Sequence, residues 1–370
     1  MNPNHDLTTF VPDEVTPPGD SLQEILSDHG MTQIELAERI GLDKKTINLI
    51  IQGKAVITSE TALGLERVLG IPAQFWLNLE TQFQIQQARN AQREQASSFK
   101  DWAGQFPYSE MSKNGWVEET APKSYGERAL HLLRFFGVKD PDCWRAVYQE
   151  KDLELAYRKS PKVSEKTHAI SAWLRAGERK AMDLSVADYD PAKFREALDE
   201  IRNSTVLENL EQIEPKIRQL CATAGVYFFV VKELPGLGIN GVTRWIGGRP
   251  FIQQTCRMKW NDQFWFTFFH EAGHVLQNRR KQLFIDATGI ESDDKEREDD
   301  ADRFAANLLI PEADYKKFLI RCADEPDEDQ IRIFAKRIGI HPGIIVGRLM
   351  REEVLEYGHP AQSLKCKLEI

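Results

Sequence analysis

The sequence predicts a multidomain chain, with an all-α N-terminal domain, a helical middle region and an α+β domain toward the C-terminal end. Three observations carry that expectation. Residues 21–95 read as short helices cut by Gly30, Gly41, Gly53 and Gly70. Residues 96–224 keep apolar positions at helical spacing, with breaks near Pro122, Gly137 to Pro141 and Tyr189 to Pro191. At Gly225 the texture changes: GVYFFVVKEL, GVTRWIGG and RPFIQQTC look like three strands separated by Gly and Pro turns.

Length and composition allow this. The 370 residues suffice for two or three domains at about 100–200 residues each. An apolar fraction of 41% with eight Trp excludes a wholly disordered chain. No apolar run approaches the ~20 residues of a membrane span. The opening MNPNHDLTTFVPDEVTPPGD has neither a basic start nor an apolar core, so no secretory signal is read there. Cys143, Cys221, Cys256, Cys322 and Cys366 are scattered and odd in number, as expected of reduced thiols in a cytoplasmic protein. A net charge of −9 argues against a surface that binds nucleic acid indiscriminately, though not against a local DNA site.

Residues 1–20 carry Pro3, Pro12, Pro17 and Pro18 and read as a flexible tail. Helices should then start where Ser21 precedes Glu24 and Thr32 precedes Glu35, both at capping-box spacing. QIELAERIGLDKKTINLIIQ, Gln33 to Gln52, has the spacing of a helix-turn-helix. Ala37 is small where two helices cross, and Gly41 supplies a turn conformation that a side chain resists. Leu36, Ile40, Leu42, Ile47 and Ile50 fall at the core positions, and Asp43 can cap the second helix.

The outward face of that helix carries Lys44, Lys45, Thr46, Asn48, Leu49 and Gln52. Asn and Gln pair bidentately with adenine, Lys meets phosphate or guanine, and Leu49 can touch a thymine methyl. Gln33, opening the preceding helix, is placed for a phosphate contact. Met31 to Lys54 holds only four bases against three acids, so affinity should be modest and depend on a homodimer. Its two recognition helices would lie about one DNA turn apart on double-stranded operator DNA.

Pro72 suits the first turn of PAQFWLNLETQFQIQQARNAQ, and QARNAQREQASS reads as a solvated helix end or linker. These residues resemble the XRE-type regulators, and within them the HigA-like antitoxins. GKAVITSETALGLERVLGIPAQFWLNLETQF, Gly53 to Phe83, carries the resemblance furthest. It implies operator binding, usually autorepression, often beside a co-expressed toxin.

The middle region offers no chemical motif. SAWLRAGERKAM reads as core packing or linker. The α+β region does offer one: WFTFFHEAGHVLQ contains His270-Glu271-Ala272-Gly273-His274. Four residues make just over one helical turn, so both imidazoles project from one face and can chelate one Zn²⁺. Glu271 lies beside them as a candidate base for a water on the metal. A catalytic zinc needs a third protein ligand. KEREDDADRFAANLLIP supplies Glu298, which shares a helix face with Ala301, Asp302 and Ala305, while Glu296 and Asp302 are less well placed alternatives.

HEAGH followed by E-x-x-A-D-R-F-A-A-x-L-L-x-P looks like the ImmA/IrrE zinc metallopeptidases over about Gly225 to Glu356. The resemblance implies a zincin-like fold, Glu298 as third ligand and repressor proteins as targets. RPFIQQTC is a further candidate, as a strand pairing with an extended substrate. Tyr315 and His341 read as structural, and FAKRIGIHPGIIVGRL as a helical pair closing the domain.

The expectation is therefore an operator-binding regulator with a zinc-dependent endopeptidase that hydrolyses a regulatory protein. Two other readings stand beside it. One is an antitoxin-like repressor whose zincin domain senses or binds a toxin without turnover. The other is a housekeeping peptidase that uses the N-terminal helices for docking.

Overall fold

The computed structural model describes residues 16–151, 166–257, 259–277, 284–287, 295–322 and 326–369. The first fifteen residues of the expected tail lie outside them, as do residues 291–294 of the acidic run before Glu298. Contacts divide the chain into two compact units, Met1–Phe99 and Lys100–Ile370.

Among the described residues, the first unit has five helices: α1 (Pro18–Asp28), α2 (Gln33–Ile40), α3 (Lys44–Ile51), α4 (Ser59–Leu69) and α5 (Ala73–Ser97). Its core joins Leu22, Leu36, Ile47, Ile50, Leu65 and Trp76, with Ile40 and Leu42 partly buried against it. Thr32 caps α2 by accepting from Glu35 N at 3.2 Å. The Glu35 carboxylate turns instead to Arg39, 2.6 Å away, so only half of the expected capping box forms. Gly41 ends α2 at φ 73°, in the left-handed region.

The start expected at Ser21 is corrected: α1 begins at Pro18, and Ser21 lies inside it. Two features extend the helix backward. Pro18 has its φ preset for a first turn. Gly19 lies so close to Ile51 that a Cβ would sit 2.3 Å from the Ile51 backbone. Residues 87–97 of the expected helix end or linker continue α5, a single helix of 25 residues.

The second unit opens with α6 (Lys100–Ala103), α7 (Tyr108–Lys113), α8 (Tyr125–Phe136), α9 (Pro141–Trp144) and a π-helical stretch, Arg145–Lys151. Next come α10 (Thr167–Ala181), α11 (Pro191–Arg202) and α12 (Leu210–Thr223). Four strands, β1 (Tyr227–Val230), β2 (Ile239–Ile246), β3 (Arg249–Gln254) and β4 (Phe284–Ala287), form one sheet in the order β1-β3-β2-β4. β1 and β3 run parallel, and the other neighbours are antiparallel. Between β3 and β4 lies α13 (Asn261–Leu276). After β4 come α14 (Lys295–Leu309), α15 (Glu312–Arg321), α16 (Glu328–Ile338) and α17 (Pro342–Arg351).

Alternation along the strands gives the sheet two buried faces. Phe228, Val230 and Ile252 meet Phe264, Trp265 and Phe268 of α13 in the main core. Phe229, Phe251, Arg244 and Gln253 point the other way. There α10 covers them: Gln253 Nε2 donates to Trp173 O at 2.7 Å, and Arg244 pairs with Glu178 at 2.7 Å. SAWLRAGERKAM is thus the second layer over the sheet.

The candidate role of RPFIQQTC as a substrate-pairing edge does not hold. β3 lies between β1 and β2, so both of its backbone edges are already paired. Pro250 to Gln254 are all buried, as a central strand covered on both faces requires, and the two glutamines there hydrogen-bond to backbone carbonyls.

Candidate metal centre and nucleic-acid interface

α13 buries nearly every residue from Asn261 to Val275, which carries the polar HEAGH segment into the interior. α14 packs against it at a pair of small residues. A Cβ on Gly273 would lie 3.2 Å from Ala301 Cα, so any larger residue would push the helices apart. Their closeness brings Glu298 over the two histidines. His270 Nε2 and His274 Nε2 are 3.1 Å apart, and Glu298 Oε2 is 3.2 Å from the first and 3.5 Å from the second. These three form a donor group suited to a metal ion.

The fit to zinc can be tested on these distances. Tetrahedral zinc with bonds of about 2.0–2.1 Å spaces neighbouring ligands about 3.4 Å apart, which matches all three edges. The outer ring nitrogens support this. His270 Nδ1 lies 2.8 Å from Asp302 Oδ1, and His274 Nδ1 lies 3.2 Å from Gln277 Oε1. The Gln277 amide is oriented by its own donation to Arg297 O at 3.1 Å. With each Nδ1–H given outward, both Nε2 lone pairs face the Glu298 carboxylate. Three acceptors so close need a cation or protons between them.

Burial by itself raises the Glu298 carboxyl. Protons on the facing His270 and His274 nitrogens, in place of a metal, would outweigh it and hold the group well below the usual carboxylate range. Burial likewise raises Asp302, and its bond to His270 with the Arg351 charge brings it down. The alternatives thereby separate. Glu296 is exposed, and Asp302 stands on the far side of the His270 ring.

Glu271 is fully buried, and strand β2 holds its side chain. Thr243 Oγ1 donates to Glu271 Oε2 at 2.6 Å and lies 3.0 Å from the Glu271 backbone carbonyl. Gly241 makes room for the carboxylate, since a Cβ there would fall 2.5 Å from Glu271 Oε1. A cleft of about 1140 Å³ reaches the site and is lined by His270, Glu298, Asp302, Phe266, Arg351 and Thr267, among others. Glu271 is not part of its wall.

Two arginines hold the C-terminal end of α14. Arg202 donates to Leu308 O at 2.7 Å and to Leu309 O at 2.9 Å, and Arg348 donates to Ile310 O at 2.8 Å. Such cations suit a helix C-terminus. Arg348 also lies 3.9 Å over the ring of buried Tyr315, so α17 is occupied with packing.

A second group, Glu208, His341 and Cys366, has ligand-like spacing, yet the histidine tautomer argues against a metal there. His341 Nδ1 accepts from Gly343 N at 3.0 Å and from Asn261 Nδ2 at 2.7 Å. The ring proton is therefore on Nε2, which points at Glu208 Oε1, 3.2 Å away.

In the first unit, Asp43 accepts from Thr46 N at 2.7 Å and caps α3. Those backbone and side-chain bonds lower the Asp43 carboxyl. Lys44, Lys45 and Gln52 are exposed, while Thr46, Asn48 and Leu49 are half-buried on the same helix. Gln52 Nε2 lies 3.4 Å from Asn48 Oδ1, so the two amides adjoin. Gln33 donates to Gln23 at 2.9 Å. Lys44, Lys45, Thr46, Asn48 and Leu49 thus share α3, Gln52 is its C-terminal cap residue, and Gln33 opens α2.

Sequence reasoning missed Thr243, Gly241, Gln277 and Arg351. Only Gln277 had a local signal, lying three residues after His274.

A helix-turn-helix family model matches residues 22–76, and an IrrE N-terminal-like domain, peptidase M78, matches residues 259–348. The HTH-type transcriptional regulator YddM of Escherichia coli K12 is 34% identical over 71 residues, 19% of this chain and 76% of that protein. Antitoxin HigA-1 of Vibrio cholerae is 34% identical over 77 residues, 21% of this chain and 72% of that protein. A solved structure of Pseudomonas aeruginosa antitoxin HigA with the higBA promoter is 28% identical, covering 22% of this chain and 90% of that one, at a TM-score of 0.21. Among the described residues, no helix is long and apolar enough to cross a membrane. The chain belongs to the XRE-type helix-turn-helix regulators, with a HigA-like antitoxin domain at its N-terminal end and an IrrE/ImmA-like peptidase M78 domain toward its C-terminal end.

Proposed function

We propose that this protein is an operator-binding regulator that carries a zinc-dependent endopeptidase acting on a regulatory protein. The observation that carries the reading is the convergence of His270 Nε2, His274 Nε2 and Glu298 Oε2 within 3.5 Å, with Glu271 on the same helix. His270, His274 and Glu298 would hold Zn²⁺. When bound, zinc supplies Lewis acidity for amide hydrolysis. Glu271 takes the proton of the attacking water and delivers it to the leaving nitrogen. Thr243 orients that carboxylate from β2. β4 is the edge strand beside β2, and its outer backbone edge suits an extended peptide.

At the other end, Lys44, Lys45, Thr46, Asn48 and Leu49 of α3, with Gln52 at its C-terminal cap, read the major groove, and Gln33 meets phosphate. A homodimer sets two such helices about one turn of DNA apart. The HigA relative adds a cognate toxin as the natural partner to look for.

A second reading has one observation in its favour. Glu271 has no exposed surface and lies outside the cleft wall, as suits a sensor or toxin-binding module without turnover.

The deciding experiment combines metal analysis with a cleavage assay against the products of adjacent reading frames. The endopeptidase reading expects about one zinc per chain and cleavage by wild type, with Glu271→Gln keeping the metal but not cleaving. Equal product patterns from wild type and Glu271→Gln favour the sensor.

A further inference from the structure

Asp302 lies one helical turn beyond Glu298 on α14, and both of its oxygens are engaged. Oδ1 lies 2.8 Å from His270 Nδ1, and Oδ2 accepts from Arg351 at 2.5 Å. Arg351 is the last residue of α17. Its guanidinium sits 4.2 Å above the Phe266 ring, one turn before His270 on α13. Arg351, Asp302 and His270 therefore form a line from the end of one helix, through a second, into the metal centre.

Glu298 and Asp302 offer the same donor chemistry, and residues four apart on a helix lie only about 6 Å from one another. A carboxylate free to rotate can follow the imidazole or compete for the metal. A planar guanidinium with fixed donor directions removes that freedom. We propose that Arg351 is a positioning residue for the metal centre. By holding Asp302 against His270 Nδ1, it keeps the imidazole turned inward and reserves the third ligand place for Glu298. The proposal rests on the metal-centre reading above and adds that metal retention depends on the end of α17.

The energetics make this separable from folding. The Arg351 and Asp302 side chains are 52% and 34% exposed, so the pair as a surface ion pair contributes little stability. Partners that orient a ligating histidine typically change metal affinity about 10- to 100-fold.

The test uses the full chain and measures Zn²⁺ affinity by competition with a chromophoric chelator. Visible spectra of the Co²⁺-loaded proteins and thermal midpoints of the metal-free proteins accompany it. Arg351→Met should weaken Zn²⁺ binding about 10- to 100-fold and shift the Co²⁺ bands, with an unchanged metal-free midpoint. Arg351→Lys should recover part of the loss, because the charge remains without the planar fork. Wild-type Zn²⁺ affinity in Arg351→Met, with binding lost in His270→Ala, overturns this proposal and leaves the metal centre standing. Undiminished binding in His270→Ala overturns the metal-centre reading itself. A lowered metal-free midpoint with an unchanged Co²⁺ spectrum marks a structural arginine and also overturns the proposal.

Discussion

The Thr243 hydroxyl lies 2.6 Å from Glu271 Oε2, tying the middle of strand β2 to the centre of the HEAGH helix. Both residues are buried, so this bond forms where water cannot replace it. Thr243→Val takes a hydrogen-bond donor from an enclosed carboxylate. It should cost about 1–3 kcal/mol of stability, read from urea unfolding. Thr243→Ser keeps the hydroxyl and should lose less. No loss in Thr243→Val, with a loss in Thr243→Ser, would assign the stabilisation to the methyl group instead of the hydrogen bond.

Metal ligation predicts a stability signature independent of turnover. Zinc at about a hundred times its Kd should stabilise the second unit by about 2.7 kcal/mol, and chelation should remove that gain. His274→Ala and Glu298→Gln should show no such response, while Glu271→Gln should respond like wild type. Calorimetry with and without chelator gives the answer, since melting of the first unit should not move.

On DNA, the two kinds of contact should separate by salt and by sequence. Asn48→Ala should cost about 1–3 kcal/mol on the preferred operator and little on unrelated DNA. Lys44→Ala should weaken binding to both, and lower the slope of log affinity against log salt by about 0.9 for each lost phosphate contact. Gel shifts at several salt concentrations check both. A mutation that acts equally on all sequences at Asn48 would remove it from base reading.

The ring of His168 stacks on Trp144 at 4.6 Å and meets Phe106 edge-on at 4.7 Å. Burial, with the nearby Arg145 charge, lowers its pKa to about 4. An ordinary unfolded-state value of about 6.5 then means that the unfolded chain takes up the proton first as pH falls. The stability from neutral His168 is present in full above about pH 6.5 and is lost progressively toward pH 4. His168→Phe should abolish this part of the acid sensitivity. The comparison is the fall in urea midpoint from pH 7 to pH 5, which should be larger in wild type than in the variant.

The chemistry legible in the sequence was local. A four-residue spacing set His270 and His274 on one helix face, and Thr32 and Asp43 signalled the starts of α2 and α3. Glu298 could be singled out because Ala301 and Ala305 mark the packed side of its helix. Thr243 and Arg351 had no such signal. They reach the site only through strand pairing and the return of α17, contacts 28 and 49 residues apart in the chain. Strand order was equally hidden. RPFIQQTC has the same apolar pattern at an edge or in the middle, and its neighbours are fixed by distant pairings. The start of α1 at Pro18 has no such signal, because Gly19 and Ile51 adjoin only in the folded domain.

The layer formed by α10 decides where this protein can be cut and rejoined. A graft beginning at Gly225 would leave Phe229 and Phe251 facing solvent and strand the Arg244 charge without Glu178. Any chimera that joins the HEAGH-bearing part to another helix-turn-helix domain must carry the helical stretch with it, and its seam belongs near Lys100.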